Sequence, residues 1–184
     1  LIQPTLRLAK TTLMSGQAYY EERLLDRVFR VSSPSFFQVN TAQTEIMARR
    51  VLKALQLSRN QTVIDAYAGV GTFTVLMAES AGKVVAIEES EAAVKDAAIN
   101  TLGIDNIEFR LGKTEEVIYS LDAGPDAVVL DPSRTGCHIA VLEALIRLTP
   151  SRIVYVSCDP ESLARDLAVL VKGAYRVNNV EPID

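Results

Sequence analysis

The sequence is poor in the residues that build several common kinds of site. It has a single histidine, His138, so a histidine-based catalytic triad has no other source. Two cysteines, Cys137 and Cys158, are too few for a disulfide framework or a zinc site. Thiols without such a framework make a reduced, cytoplasmic setting the default. No run approaches the roughly 18 apolar residues of a membrane span. Leu1 to Lys10 lacks the hydrophobic region of a signal peptide. Positive charge does not dominate: the formal net charge of -4 argues against strong autonomous nucleic-acid binding. Internal repeats, low-complexity tracts and long linkers are absent. The start at Leu1, not Met, points to a piece of a longer protein.

What the chain does have is a large apolar share. At 184 residues and 48% hydrophobic, it suits one domain plus an extension. Its organising stretch runs from Thr62 to Phe73, T-V-I-D-A-Y-A-G-V-G-T-F. Val63 and Ile64 read as a buried strand that Asp65 ends. Ala66, Ala68, Gly69 and Gly71 leave backbone bare enough for something to lie against it. Thr72 opens an apolar helical pattern, which the periodicity extends to Ala81. Strand, glycine turn and helix make the start of a Rossmann-like unit. The dinucleotide fingerprint G-x-G-x-x-G/A is not met, because Thr74 stands at its third position. An acid before the glycines suits a ligand without a pyrophosphate, such as S-adenosylmethionine. A plain tight turn reads the same way locally.

Before that stretch, Thr11 to Val31 has the mixed pattern of a hairpin or small sheet, and Ser32 to Ser35 is a turn. F-F-Q-V-N follows at Phe36 to Asn40. Asn40 and Gln43 form a capping box for a helix over Thr41 to Leu55. Gln38 is either a solvated loop residue or within reach of a ligand at that helix start. After the stretch, strands are expected at Lys83 to Glu88, Ile107 to Leu111, Asp126 to Asp131, Arg152 to Ser157 and Tyr175 to Val180. Helices are expected from the Ser90 cap to Leu102, over Thr114 to Leu121, over Ile139 to Leu148, and after Asp159 with Pro160 in the first turn. Short apolar runs alternating with helices mean parallel βαβ units in a doubly wound, mostly parallel α/β sheet.

In such sheets ligands bind at the carboxyl ends of the strands, where Asp65, Glu88, Asp131 and Cys158 fall. Glu88 lies where an acid can accept both hydroxyls of a ribose, although it also reads as an exposed acid. Asp131 to Gly136 reads D-P-S-R-T-G, and Pro132 holds Asp131 extended at the mouth of the sheet. Arg134 suits either a phosphate or an internal carboxylate. Cys158, in S-C-D-P, follows a strand and precedes a helix N-terminus, where thiols gain thiolate character. It is either a nucleophile or an inert half-buried cysteine. Cys137 beside His138 is the competing pair, but adjacent residues seldom point at one another.

F-F-Q-V-N, D-A-Y-A-G-V-G-T-F, V-V-A-I-E, L-D-P-S-R-T-G and I-V-Y-V-S-C-D-P, in that order, resemble the RNA uracil-5-methyltransferases. These enzymes make 5-methyluridine in transfer or ribosomal RNA. The resemblance covers Phe36 to Asp184. It implies a Rossmann-like, S-adenosylmethionine-dependent methyltransferase domain at residues 36–184. It implies cofactor contacts from Gln38, Tyr67, Gly69, Gly71, Thr72, Glu88 and Asp131. Substrate contacts fall to Asp131 and Arg134, the nucleophile is Cys158, and no metal is required. It further implies that the family's general base, a glutamate, and the last strand of the sheet fall beyond Asp184. Residues 1–35 are then a β-hairpin extension left from a central domain. Contacts to ribosomal or transfer RNA come mainly from domains outside the chain, which acts as a monomer away from membranes. Two rivals stand beside this reading: another base methyltransferase (cytosine-5 or amino-directed), and a non-catalytic module that binds S-adenosylmethionine.

Overall fold

The computed structural model describes residues 15–33, 35–38, 40–121 and 124–183. Strands β1 (Tyr19–Leu24) and β2 (Arg27–Ser32) form an antiparallel hairpin in the register Tyr20↔Val31 and Glu22↔Phe29. Leu25 and Asp26 turn it with φ of 47° and 61°. Two left-handed residues match the twist of the strands they join. Thr11 to Met14, the first part of the expected hairpin, lie outside the described residues. Helix α1 (Thr41–Leu55) has the expected bounds, and Asn40 Oδ1 accepts the N–H of Gln43 at 3.2 Å.

The chain then alternates through β3 (Thr62–Asp65), α2 (Thr72–Ala78), β4 (Lys83–Glu88), α3 (Glu91–Asn100) and β5 (Ile107–Leu111). It continues with α4 (Thr114–Val117), a 3-10 turn at Ile118–Ser120, β6 (Ala127–Leu130), α5 (Ile139–Leu148), β7 (Arg152–Tyr155) and α6 (Pro160–Lys172). The five strands pair in parallel in the order β5-β4-β3-β6-β7. Chain order reverses between β3 and β6, and a crevice opens outside the strand ends at such a point.

Both faces of the sheet are covered, which explains why its strands are apolar runs without alternation. Val63, Val84, Ala127 and Val129 face α1 and α2. Ile64, Val85, Ile87, Val128 and Leu130 face Ile118, α5 and Leu170 of α6. The hairpin shares the first of these cores: Leu24, Phe29 and Val31 are each 0% exposed. Burying each such side chain stabilises by about 1.5–3 kcal/mol. Polar ties add to this. Asp96 of α3 accepts the backbone N–H of Ser32 at 2.8 Å and the hydroxyls of Ser32 and Ser35 at 2.6 and 2.7 Å.

Several elements are shorter than their sequence patterns. Helix α2 ends at Ala78, where the N–H groups of Ser80 and Ala81 both turn back to Met77 O. Helix α3 ends at Asn100 ahead of Gly103, which has a φ of 80°. Strand β6 gives up Asp131, and β7 gives up Val156 and Ser157, to the loops at the mouth of the sheet. The strand expected at Tyr175 to Val180 is not there. Its apolar residues have the pattern, but a strand needs a ladder, and among the described residues β7 pairs with β6 alone. The segment runs irregular and mostly exposed, tied down by Tyr175 Oη donating to Pro150 O at 3.0 Å and by an Arg50–Glu181 ion pair of 2.7 Å. No helix among the described residues is long and apolar enough to cross a membrane.

Candidate active site

The loop after β3 is held by its neighbours. Ala68 N–H donates to Ile87 O at 2.9 Å, Gly69 N–H to Glu88 Oε2 at 2.8 Å, and Asn100 Nδ2 to Val70 O at 2.8 Å. Gly69 and Gly71 have φ of 55° and 87°, a region that side chains rarely adopt. The two glycines do different work. At Gly69 nothing lies within 4 Å of where a Cβ would project, so the backbone is open to the cleft. At Gly71 a Cβ would meet Ala97 Cβ at 3.5 Å. Gly71 is buried against α3 and is not part of the cleft wall. The other oxygen of Glu88 accepts Ser90 N–H at 2.7 Å. A carboxylate offers about four acceptor positions, so Glu88 keeps capacity toward the cleft.

Beneath the loop lies Asp65, 0% exposed. Thr74 Oγ1 donates to its Oδ2 at 2.6 Å, while its Oδ1 has no partner among the described residues. Thr74, the residue that breaks the dinucleotide fingerprint, is therefore the hydroxyl that orients this acid. Burial pushes the Asp65 carboxyl up to about 6, with the Thr74 hydrogen bonds opposing and the charge of Glu88 adding. Asp131, just past β6, is pushed up to about 7 by burial and by the charge of Asp65. Two carboxyls with raised pKa values thus face the switch point of the sheet.

Cys158 is exposed on the cleft wall. Its loop leaves β7 by one more ladder bond, Val156 N–H to Leu130 O at 2.7 Å. It enters α6 through Asp159, whose Oδ2 accepts Ser162 N–H at 2.8 Å. The other thiol is of a different kind. Cys137 is buried, and burial pushes it up to about 11 although hydrogen bonds with Tyr155 and Tyr67 work against the rise. His138 caps α5, its Nδ1 accepting Ala140 N–H at 3.2 Å, and it is exposed outside the cleft. Cys137 and His138 form no dyad.

One cleft of about 2030 Å³ is lined by Gln38, Tyr67, Gly69, Thr72, Glu88, Asp131, Arg134 and Cys158. Of the expected cofactor, substrate and catalytic residues it leaves out Gly71, and Asp65, expected at the same strand ends, lies buried behind it. A volume above the roughly 300–1,000 Å³ of a single small-molecule pocket gives room for two ligands side by side. Gln38 and Tyr67 are half-buried, and Arg134 is exposed. The Tyr67 hydroxyl stays protonated, its pKa raised by burial and by the neighbouring Cys137. Sequence reasoning missed the parts that work from behind. Thr74 showed only as a broken motif, and Thr114, whose hydroxyl bonds Ala66 O, showed only as a helix start. Among the described residues no group of three or more His, Cys, Asp or Glu is placed to hold a metal ion.

A five-stranded parallel sheet in this order, with a glycine loop and an acid at the ends of its first two strands, defines a Rossmann-like α/β protein. Likenesses in fold agree. Geobacter metallireducens precorrin-6y C5,15-methyltransferase superposes with a TM-score of 0.67 at 16% identity, over 78% of this chain and 77% of that one. That likeness speaks for the fold alone. The sequence goes further: residues 2–184 match the profile of the tRNA (uracil-5-)-methyltransferase family, and the chain belongs to that family. It is 40% identical over 182 residues to an uncharacterized RNA methyltransferase of Oceanobacillus iheyensis, covering 95% of this chain and 39% of that protein. It is 43% identical over 177 residues to another from Gloeobacter violaceus, covering 95% and 38%. The crystal structure of Pyrococcus abyssi tRNA (uracil-54, C5)-methyltransferase, in complex with S-adenosyl-L-homocysteine, superposes with a TM-score of 0.72 at 34% identity. That likeness covers 85% of this chain and 38% of the other. The chain thus spans about two fifths of the length of these curated relatives.

Proposed function

We propose that this chain is the cofactor-binding and nucleophile-bearing part of an enzyme that methylates carbon 5 of a uridine in RNA. The observation that carries the reading is the meeting of Cys158, Asp131, Glu88 and the open backbone at Gly69 in one cleft. S-adenosylmethionine fits the residues present. Glu88 has acceptor capacity for a ribose, and Gly69 leaves room for a ligand against the backbone. Bound there, the cofactor supplies an electrophilic methyl group.

The protein's part is to make carbon 5 of uracil reactive. The Cys158 thiolate adds to carbon 6, forming an S–C bond and moving the ring's electron pair toward the carbonyl at carbon 4. Carbon 5 becomes nucleophilic and takes the methyl. A base then removes the proton from carbon 5. The pair left behind re-forms the C5–C6 double bond, and Cys158 departs as thiolate. Asp131 stands beside the reacting ring, and Arg134 at the rim meets the RNA. The base has to leave its stack to reach the cleft.

We assign the proton abstraction to a glutamate outside these residues. That assignment follows the family resemblance, and Asp159, beside Cys158, is occupied capping α6. The net charge of -4 supports the same division of labour for RNA binding, with the basic surface supplied elsewhere. The reading is tested with RNA carrying 5-fluorouridine, whose fluorine cannot leave as a proton and so traps the adduct. With S-adenosylmethionine present, wild type is expected to give an adduct stable in denaturing gels, and Cys158→Ala none. No adduct from wild type, alone or within a chain of the relatives' length, would favour a non-catalytic cofactor-binding module.

A further inference from the structure

Asp166 lies in the second turn of α6, outside the cleft, and has no part in the chemistry above. It is 1% exposed. Its Oδ2 accepts the backbone N–H of Cys137 and the hydroxyl of Tyr155, each at 2.7 Å. Its Oδ1 accepts Nε–H of Arg165 at 2.9 Å, and Arg165 Nη2 lies in ion-pair contact at 2.7 Å. Three hydrogen bonds and an ion pair to one guanidinium hold both oxygens of this buried carboxylate. Arg165 Nη2 also donates to Thr135 O at 2.8 Å.

The segments joined here are the ones that bear the chemistry. Cys137 and Thr135 belong to the loop after β6, which carries Asp131 and Arg134 and has no regular structure of its own. Tyr155 ends β7, three residues before Cys158. Asp166 itself stands on the helix that begins just after Cys158. The loop reaches the carboxylate with backbone only. Gly136 has a φ of 77°, and a Cβ there would lie 2.6 Å from Asp166 Oδ2, against Arg165 as well. An apolar side chain of the same volume would fill the space, but it would aim none of these groups. A carboxylate on α6 that bonds the loop and β7 at once sets their mutual distance and direction.

We propose that Asp166 is a positioning residue that fixes the loop of Asp131 and Arg134 relative to Cys158, so that carboxyl and thiol meet the same ring. The proposal rests on the reading of Cys158 as nucleophile. It predicts a specific split. Asp166→Asn keeps two acceptor contacts and turns an amide N–H₂ toward Arg165, shifting the loop without emptying the site. A misplacement of about 1 Å in a reacting group costs on the order of 10²-fold in rate.

The experiment compares wild type and Asp166→Asn well below their melting temperatures. It measures the rate of Cys158 adduct formation with 5-fluorouridine RNA, the rate of Cys158 alkylation by iodoacetamide, and the affinity for S-adenosylhomocysteine. The expected result is a fall of about 100-fold in adduct rate, with alkylation and affinity nearly unchanged. A purely stabilising role would lower the melting temperature and leave the adduct rate of the folded protein alone. Equal adduct rates, or alkylation falling in parallel, would overturn the proposal. Absence of any adduct from wild type would overturn the nucleophile reading and this inference with it. If Asp166→Asn does not fold, Tyr155→Phe removes one of the three hydrogen bonds and leaves the carboxylate in place. It is expected to slow the adduct by about tenfold, and a rate equal to wild type overturns the proposal.

Discussion

Asp65 makes the protein's stability depend on pH in a direction opposite to that of most carboxylates. Its folded-state pKa is raised from 3.8 to about 6, chiefly by burial. Between about pH 4 and pH 6 the folded protein holds a proton there that the unfolded chain has released, so this contribution to stability falls as pH rises. It is complete below the unfolded value and gone above the folded one. At 1.36 kcal/mol per pKa unit, the difference amounts to about 3 kcal/mol. Asp65→Asn cannot titrate. Its amide nitrogen takes the place of the partnerless Oδ1 at a constant cost, which cancels when slopes are compared. Asp131, raised to about 7 by burial and by Asp65, contributes with the same sign and shifts less once the charge of Asp65 is gone. The assay is urea unfolding of both proteins over a pH series at one ionic strength. The stability of wild type minus that of the variant is expected to fall by about 3 kcal/mol between pH 4 and 7. Parallel curves for the two ligand-free proteins would refute the account of Asp65 as a buried acid without a second partner.

Glu88→Ala removes the acceptor of Gly69 and Ser90 N–H and is expected to weaken S-adenosylhomocysteine binding by at least about tenfold, since hydrogen bonds to a charged group contribute about 1.5–3 kcal/mol each. Calorimetric titration checks this, and equal affinity would remove Glu88 from the site. Iodoacetamide followed by peptide mapping is expected to label Cys158 first, because Cys137 is buried with its thiol pushed up to about 11. Faster labelling of Cys137 near neutral pH would reverse the assignment. Asn100→Asp replaces the donors to Arg30 O and Val70 O with a carboxylate facing two carbonyls. Each group left unsatisfied costs about 1–3 kcal/mol, so chemical unfolding should show a clear loss of stability, and cofactor affinity should drop as the glycine loop loosens. Unchanged values for both would show that the hairpin and the loop are independent.

The features legible along the chain were those whose cause is local. Asn40, Ser90 and Asp159 cap their helices by reaching N–H groups three residues on, and that chemistry is complete within a few neighbouring side chains. The apolar runs of β3, β4 and β6 carry their own message, since only strands buried on both faces lack alternation. A parallel sheet built from them puts Asp65, Glu88, Asp131 and Cys158 at one end. Other features depend on which distant segments come to rest together. Tyr175 to Val180 has a strand's composition but no ladder partner among the described residues. Gly71 looks like a ligand-facing glycine until Ala97 packs against it. Thr74 becomes meaningful only when the turn folds its hydroxyl onto Asp65, and Asp166 only when α6, β7 and the loop after β6 converge on one carboxylate. Short-range patterns specify elements. The burial, pairing and charge of a site arise from contacts between residues tens of positions apart, and those are set by how the elements pack.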